Sequence, residues 1–409
     1  MSFFNKLKKL FFKAAVISTA LLYCLSLAGC MGNGDGSASH RLHNSLPGVF
    51  KQTATITAGT ASPGISAKSA VLIDGDSGEI LCSKNPDEKL PMASTTKIMT
   101  ALVAIENRDL ESIVKIPREA VGVEGSSIYL YEGEELKLSE LVMALMLESA
   151  NDAAAAIAIE VGGSIEGFAD MMNKKAEEIG LESTHFDNPH GLDSEEHYTT
   201  ARELGKIAAH AMKNDTFREI VSTKKKTIPL NGDEGVRLLI NHNRLLKSYE
   251  GAIGIKTGYT KKSGRCLVSA AERDGLTLIC VTLSAPDDWN DHRTLLDYGF
   301  SLYESRLIYA KNKFTHTLPI VGGEQEYVTL TNGEDIRLTL PKSLTDVEYR
   351  IEAPRFAYAP VSERNILGTL ICSVKGEDVL EVPLYAAYSV QESTKKNTIW
   401  GKLISLFKK

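Results

Sequence analysis

Apolar positions change their period several times along the chain, and those changes divide it. The first feature is an unbroken apolar run, "AAVISTALLYCLSLAG", behind "MSFFNKLKKLFFK", which carries Lys6, Lys8, Lys9 and Lys13. A basic lead, an apolar stretch somewhat short for a bare anchor and a small-residue end form a secretory signal over residues 1–29. Residues 30–65 show little periodicity and are rich in Gly, Ser, Thr and Ala, the composition of a flexible tether.

In "SAVLIDGDSGEILCSKN", residues 69–85, two apolar runs flank turn chemistry and predict a hairpin. Helical spacing then takes over in residues 95–107, 138–148, 151–163, 165–181 and 199–214. Gly162 and Gly163 end the third of these helices, and Thr199 or Thr200 caps the fifth. Strand patterns return in 251–260 and 264–285, the latter broken by an Asp274-Gly275 turn, and 291–305 reads as helix again. Strands therefore open and close residues 66–305 and helices fill the middle: an α+β domain with an antiparallel sheet and a helical region. Residues 306–390 are short alternating runs broken by "NGED" and "KGED", the pattern of a small all-β sandwich. The end, "KKNTIWGKLISLFKK", has five lysines and no acid. Ile399, Trp400, Leu403, Ile404, Leu406 and Phe407 fall on one helical face, with Lys402, Ser405 and Lys408 on the other. Residues 394–409 thus predict an amphipathic helix suited to a membrane interface.

Composition adds bounds. An apolar fraction of 43% and a charged fraction of 24% are those of a globular protein. The formal net charge is −6, and loss of residues 1–29 removes four lysines and no acid, giving −10. With no large basic block in its body, the chain is not expected to bind nucleic acid. "LAGC", Leu27 to Cys30, resembles the lipobox of bacterial lipoproteins and makes Cys30 a candidate lipidation site. Cys24 lies in the signal. Cys82, Cys266, Cys280 and Cys372 show no C-x-x-C spacing, so no zinc site is expected and buried thiols are the simpler reading.

Candidate chemistry begins at "ASTTKIMT", where Ser94 stands three places before Lys97, one turn apart on a helix. The spacing alone is cheap: Ser112/Lys115, Ser222/Lys225, Ser393/Lys396 and Ser405/Lys408 share it. Two further motifs give Ser94 its interest. Ser149-Ala150-Asn151 falls at the join between two predicted helices, and Lys256-Thr257-Gly258 lies in a predicted strand and occurs once.

Ser-x-x-Lys at a helix start, Ser-x-Asn at an inter-helix join and Lys-Thr-Gly on a strand, in that order, resemble the penicillin-recognising serine enzymes. "MASTTKIMTALVAIE", "ESANDAA", "FDNPHGLD" followed by "HYTTARELGKIAAHAM", and "GIKTGYT" resemble the low-molecular-weight D-alanyl-D-alanine carboxypeptidases over about residues 66–409. The resemblance implies the transpeptidase-like fold of penicillin-binding proteins and β-lactamases. It also implies removal of the terminal D-Ala from peptidoglycan stem peptides through a Ser acyl-enzyme, inhibition by β-lactam antibiotics, and no metal or cofactor. Ser94 is then the nucleophile, Lys97 its base when neutral, and Ser149 a proton relay toward the leaving amine. Asn151 holds Lys97 and the substrate amide, while Lys256 and Thr257 hold the terminal carboxylate. Gly258 lets substrate lie close to the strand, and the backbone N–H groups of Ser94 and Tyr259 form an oxyanion hole. The implied location is the outer face of the bacterial cytoplasmic membrane. Asn188, His190 and Asp193 are read as a structural turn, and Tyr198 and Thr199 as structural residues. A non-catalytic wall-binding lipoprotein, a class A β-lactamase and a transpeptidase stand as alternatives.

Overall fold

The computed structural model describes residues 63–230 and 235–393. The signal over 1–29, Cys30, the tether up to residue 62 and the helix expected over 394–409 lie outside the described residues.

The first hairpin is β1 (Ser69–Asp74) and β2 (Ile80–Lys84), as the turn chemistry requires. A single 3-10 turn, Ala93–Thr96, leads into α1 (Lys97–Asn107). Two short strands, β3 (Ile113–Lys115) and β4 (Glu135–Lys137), pair with each other ahead of α2 (Leu138–Leu147). Then come α3 (Asn151–Gly162), α4 (Ile165–Ile179) and α5 (Ala201–Met212). Gly163 closes α3 at φ 79° and Gly180 closes α4 at φ 77°, backbone conformations that cost glycine little. Of the two threonines before α5, Thr200 is the cap: its hydroxyl accepts from Glu203 N at 3.1 Å.

Residues 215–240, unassigned from the pattern, form α6 (Asp215–Ser222) and a hairpin of β5 (Lys225–Leu230) with β6 (Gly235–Ile240). The reason is visible in its burial. Val236, Leu238 and Ile240 face solvent while Arg237 turns inward, so polarity does not alternate in the usual sense. After α7 (Leu245–Ser248) the chain runs through β7 (Ala252–Thr260), β8 (Gly264–Arg273) and β9 (Leu276–Leu283) to α8 (Asp288–Leu302). The last predicted helix is shifted: it starts earlier than residue 291 and stops at Leu302.

Five strands form one antiparallel sheet in the order β2-β1-β9-β8-β7. Val71, Ile73, Val268, Ile279 and Val281 lie on the helical side, where α5 packs on β1 and β9, in one core with residues of α1 and α3. Leu72, Leu278 and Cys280 pack on the other side against Leu295 and Leu296 of α8. β9 is covered on both faces, which is why "LTLICVTL" reads as a nearly continuous apolar run. β7 is the sheet's edge.

The C-terminal part is all β. A pair, β10 (Tyr303–Tyr309) with β13 (Ile336–Pro341), shares one apolar core with a six-stranded sheet. That sheet contains β11 (Thr315–Val321), β12 (Tyr327–Asn332), β14 (Glu348–Glu352), β15 (Ala357–Tyr358), β16 (Ile366–Val374) and β17 (Glu377–Ala386). The core of this part lies between the pair and the sheet, where Leu338 and Leu340 meet Leu330 and Leu370. The hydroxyl of Thr339 donates to Asp74 Oδ2 at 2.5 Å, joining this part to the β1–β2 turn. Cys82, Cys266, Cys280 and Cys372 are all buried.

Candidate active site

Ser94 sits in the 3-10 turn rather than in the helix proper, and Lys97 is the first residue of α1. The turn enters through Ala93 at φ 48°, a left-handed conformation that a Cβ disfavours. Two threonines brace it: Thr95 Oγ1 donates to Met92 O at 2.6 Å and Thr96 Oγ1 to Ala93 O at 2.8 Å. Thr96 Oγ1 also meets His197 Nε2 at 2.7 Å. The tight turn carries Ser94 and Lys97 toward each other, with Lys97 Nζ 2.9 Å from Ser94 Oγ.

Lys97 is fully buried. Its amine also contacts Asn151 Oδ1 at 2.7 Å and the His190 carbonyl at 2.5 Å, both of which only accept. A neutral amine can give its two hydrogens to these oxygens and turn its lone pair to Ser94. Burial, and then the positive charge of Lys256, hold the Lys97 ammonium well below the ordinary lysine range, although Asp152 opposes the shift.

Asn151 opens α3 and is held at both ends of its amide. Nδ2 donates to Glu124 O at 2.5 Å, so one of its two hydrogens is committed within the protein. The sequence-based role, contact with both Lys97 and a substrate amide, is left with the second hydrogen. Ser149, at the α2–α3 join, is buried and adopts φ 59°. A serine held in this conformation stores on the order of 1 kcal/mol or more, maintained by the packing around it. The join carries Ser149 and Asn151 because it is a break between helices, as its sequence suggested.

Lys256 is buried on β7, and its amine donates to the Thr257 carbonyl at 3.0 Å. Burial pushes this lysine down to about 7, against the opposing charge of Glu148. Gly258 has a close-approach role inside the protein. A Cβ there would stand 3.0 Å from Ser94 N, 3.1 Å from Thr95 N and 3.2 Å from Ala93 Cβ. The strand can therefore press on the Ser94 turn only because residue 258 lacks a side chain. Tyr259, the next residue, is exposed.

The "NPHGLD" segment is a turn: Asn188 Oδ1 accepts from His190 N at 3.3 Å and Gly191 N at 2.8 Å. It does more than turn, because the His190 carbonyl touches Lys97. A backbone carbonyl leaves no mark of its own in a sequence. The available signal was Gly191, at φ 88°, where a Cβ would meet Ala93 O at 1.9 Å. Asp193 Oδ1 accepts from Thr260 Oγ1 at 2.9 Å and ties the turn to β7. His190 is pushed down to about 3 by burial and by Lys97, so its ring is neutral at ordinary pH. Among the described residues no group of three or more His, Cys, Asp or Glu side chains is arranged to hold a metal ion.

A residue of each motif thus meets at the Ser94 turn: Lys97 Nζ contacts Ser94 and Asn151, and Gly258 packs against the Ser94 backbone, while no hydrogen bond joins Ser149 or the Lys256 amine to Lys97. The model of the D-alanyl-D-alanine carboxypeptidase family matches residues 56–287, and that of the penicillin-binding protein 5 C-terminal domain matches residues 303–392. The chain belongs to the D-alanyl-D-alanine carboxypeptidase family. It is 36% identical over 337 residues to the D-alanyl-D-alanine carboxypeptidase DacF of Bacillus subtilis, covering 80% of this chain and 86% of that one. The structure of penicillin-binding protein 5 from Haemophilus influenzae superposes with a TM-score of 0.68 at 28% identity, covering 82% of this chain and 100% of that one. A Streptomyces K15 DD-transpeptidase matches with a TM-score of 0.56 at 36% identity, over 59% of this chain and 100% of its own. The carboxypeptidase is a serine-type hydrolase acting on D-Ala-D-Ala ends, and the lipoprotein and β-lactamase alternatives are not favoured. Its family implies peptidoglycan as substrate and β-lactams as ligands.

Proposed function

We propose that Ser94 is the nucleophile of this carboxypeptidase and that Lys97, in its neutral form, is the base that activates it. The observation that carries this reading is the 2.9 Å contact between Lys97 Nζ and Ser94 Oγ, made by an amine whose ammonium form burial disfavours.

In this mechanism Ser94 Oγ attacks the carbonyl carbon of the penultimate D-Ala, and its proton passes to Lys97. The oxyanion is held by the N–H groups of Ser94 and Tyr259. As the tetrahedral intermediate collapses, the C–N bond breaks and the proton held on Lys97 passes to the departing D-Ala amine through Ser149, which gives its own proton to the amine as it takes the one from Lys97; Lys97 is left neutral again. Water then cleaves the acyl ester and restores Ser94. Protonated Lys256 and Thr257 bind the terminal carboxylate, and Asn151 orients both Lys97 and the substrate amide. A β-lactam enters the same sequence and stops at the ester.

The chain is further read as exported. Residues 1–29 act as the signal, Cys30 is the lipidated first residue of the mature chain, and the 394–409 segment lies on the outer face of the cytoplasmic membrane. Its basic lead, "LAGC" and lysine-rich amphipathic end support this. No helix among the described residues is long and apolar enough to cross a membrane.

The test is D-alanine release from a pentapeptide ending in D-Ala-D-Ala, with Ser94→Ala as the control. Release by the native chain alone, with covalent labelling by a fluorescent penicillin lost in the variant, is the expected result. Labelling that survives in Ser94→Ala would move the nucleophile elsewhere.

A further inference from the structure

One end of the six-stranded sheet carries a cluster of exposed aromatic and branched side chains. Val321 closes β11 and pairs in parallel with Tyr358 of β15. Phe356 meets the Tyr358 ring edge-on, with centroids 5.3 Å apart. Tyr327 opens β12 opposite Pro319, and the Tyr388 hydroxyl donates to the Tyr327 carbonyl at 3.4 Å. Tyr358 is 69% exposed, Tyr327 52%, Val321 46% and Phe356 45%. Single exposed apolar residues need no account, but a contiguous group of this size marks a contact surface.

The described chain ends at the same place. Gly323 bridges to Glu392, and Ser393 N donates to Gly322 O at 2.8 Å. Ser393, the last described residue, therefore lies beside the β11–β12 turn. The segment 394–409 has five lysines, no acid, and Trp400 among apolar residues. Exposed Glu324, Glu326 and Glu392 share this end of the sheet, so its own charge does not draw an anionic surface. Lysines of the tail supply that attraction, and Tyr and Phe supply groups that settle at the level of lipid headgroups.

We infer that this aromatic end of the β domain seats in the interface of a lipid bilayer beside the point where the 394–409 segment leaves. This rests on the reading of that segment as membrane-binding and adds a second contact to it. Two contacts on one rigid domain fix its tilt, whereas a tail alone leaves the domain free to swivel.

Two full-length single-tryptophan chains test this on vesicles containing phosphatidylglycerol with brominated acyl chains. One carries Trp289→Phe and keeps Trp400. The other carries Trp289→Phe, Trp400→Phe and Tyr358→Trp, a change at an exposed position. Penicillin labelling verifies that each is folded. Quenching of both indoles, by about two-fold or more, is expected. Quenching of Trp400 alone would overturn the inference while leaving the tail reading intact. Quenching of neither would overturn both. An indole at 358 already blue-shifted without vesicles and unchanged by them would also overturn it, showing the patch covered by the tail. Emission that varies with protein concentration instead would show it covered by a second copy.

Discussion

Glu148 and Lys256 form an opposed pair: the carboxylate beside Ser149 counters the burial that drives the Lys256 ammonium down to about 7. Glu148 is itself held by Ile240 N at 2.5 Å and by His242 Nε2 at 3.1 Å. A lysine whose pKa is lowered is charged below that value and neutral above it, so the carboxylate binding proposed for Lys256 should be present at acid pH and lost as pH rises through about 7. The free-enzyme profile, kcat/KM, should fall on its basic side near that value. Glu148→Gln removes the opposing charge and should move this limb to lower pH, with KM affected more than kcat. Identical profiles for the two proteins would show that Glu148 does not act through Lys256.

Lys97→Arg should separate charge from position. A guanidinium keeps the donors but cannot accept the Ser94 proton, so acylation by a labelled penicillin should slow on the order of 10²-fold or more. Lys97→Met should lose acylation as well, and should also destabilise by about 1–3 kcal/mol because Asn151 Oδ1 and the His190 carbonyl lose a buried donor. Stopped-flow acylation together with denaturant unfolding distinguishes the two.

Gly191→Ala tests the backbone carbonyl. The added Cβ would collide with Ala93 O and would need a positive φ, so the 188–193 turn must lift from the Ser94 turn. D-Ala release should drop at least tenfold with stability lowered by about 1–3 kcal/mol. Steady-state kinetics and thermal unfolding measure both, and near-native turnover would show that the His190 carbonyl is dispensable.

Thr339→Val should weaken the junction between the two parts of the chain. It removes the hydroxyl that donates to the buried Asp74 carboxylate, a bond to a charged group worth about 1.5–3 kcal/mol. Calorimetry should show a lower Tm with D-Ala release from a soluble pentapeptide unchanged. An unaltered Tm would mean that the junction does not depend on this contact.

Much of this was legible in the sequence where one residue's chemistry determines its place. Gly163 ends a helix, Asp274-Gly275 turns a hairpin, and a serine three residues before a lysine can share a tight turn with it. What stayed hidden depends on partners far away in the chain. The β5–β6 hairpin presents Val236, Leu238 and Ile240 to solvent and buries Arg237 against Glu134, so its polarity pattern misleads. The His190 carbonyl has no side-chain signature. Gly258 was expected to make room for substrate, yet its missing Cβ first makes room for the Ser94 turn. Asn151 proved half-committed to Glu124, 27 residues earlier, a contact that no local spacing reveals.

The edge position of β7 has a consequence for the protein outside catalysis. A strand with no neighbour on one side, as β7 has among the described residues, offers its unpaired amides and carbonyls to any extended chain that reaches it. On the proposed role of Lys256 and Thr257 the strand must accept a peptide end and cannot be capped by another strand, so protection against self-association must come from its surroundings. Here the strand runs out into exposed Lys261 and Lys262, and Gly258 keeps it pressed on the Ser94 turn. Charge at one end and close packing along the middle admit a short peptide terminus more readily than a long strand from another copy.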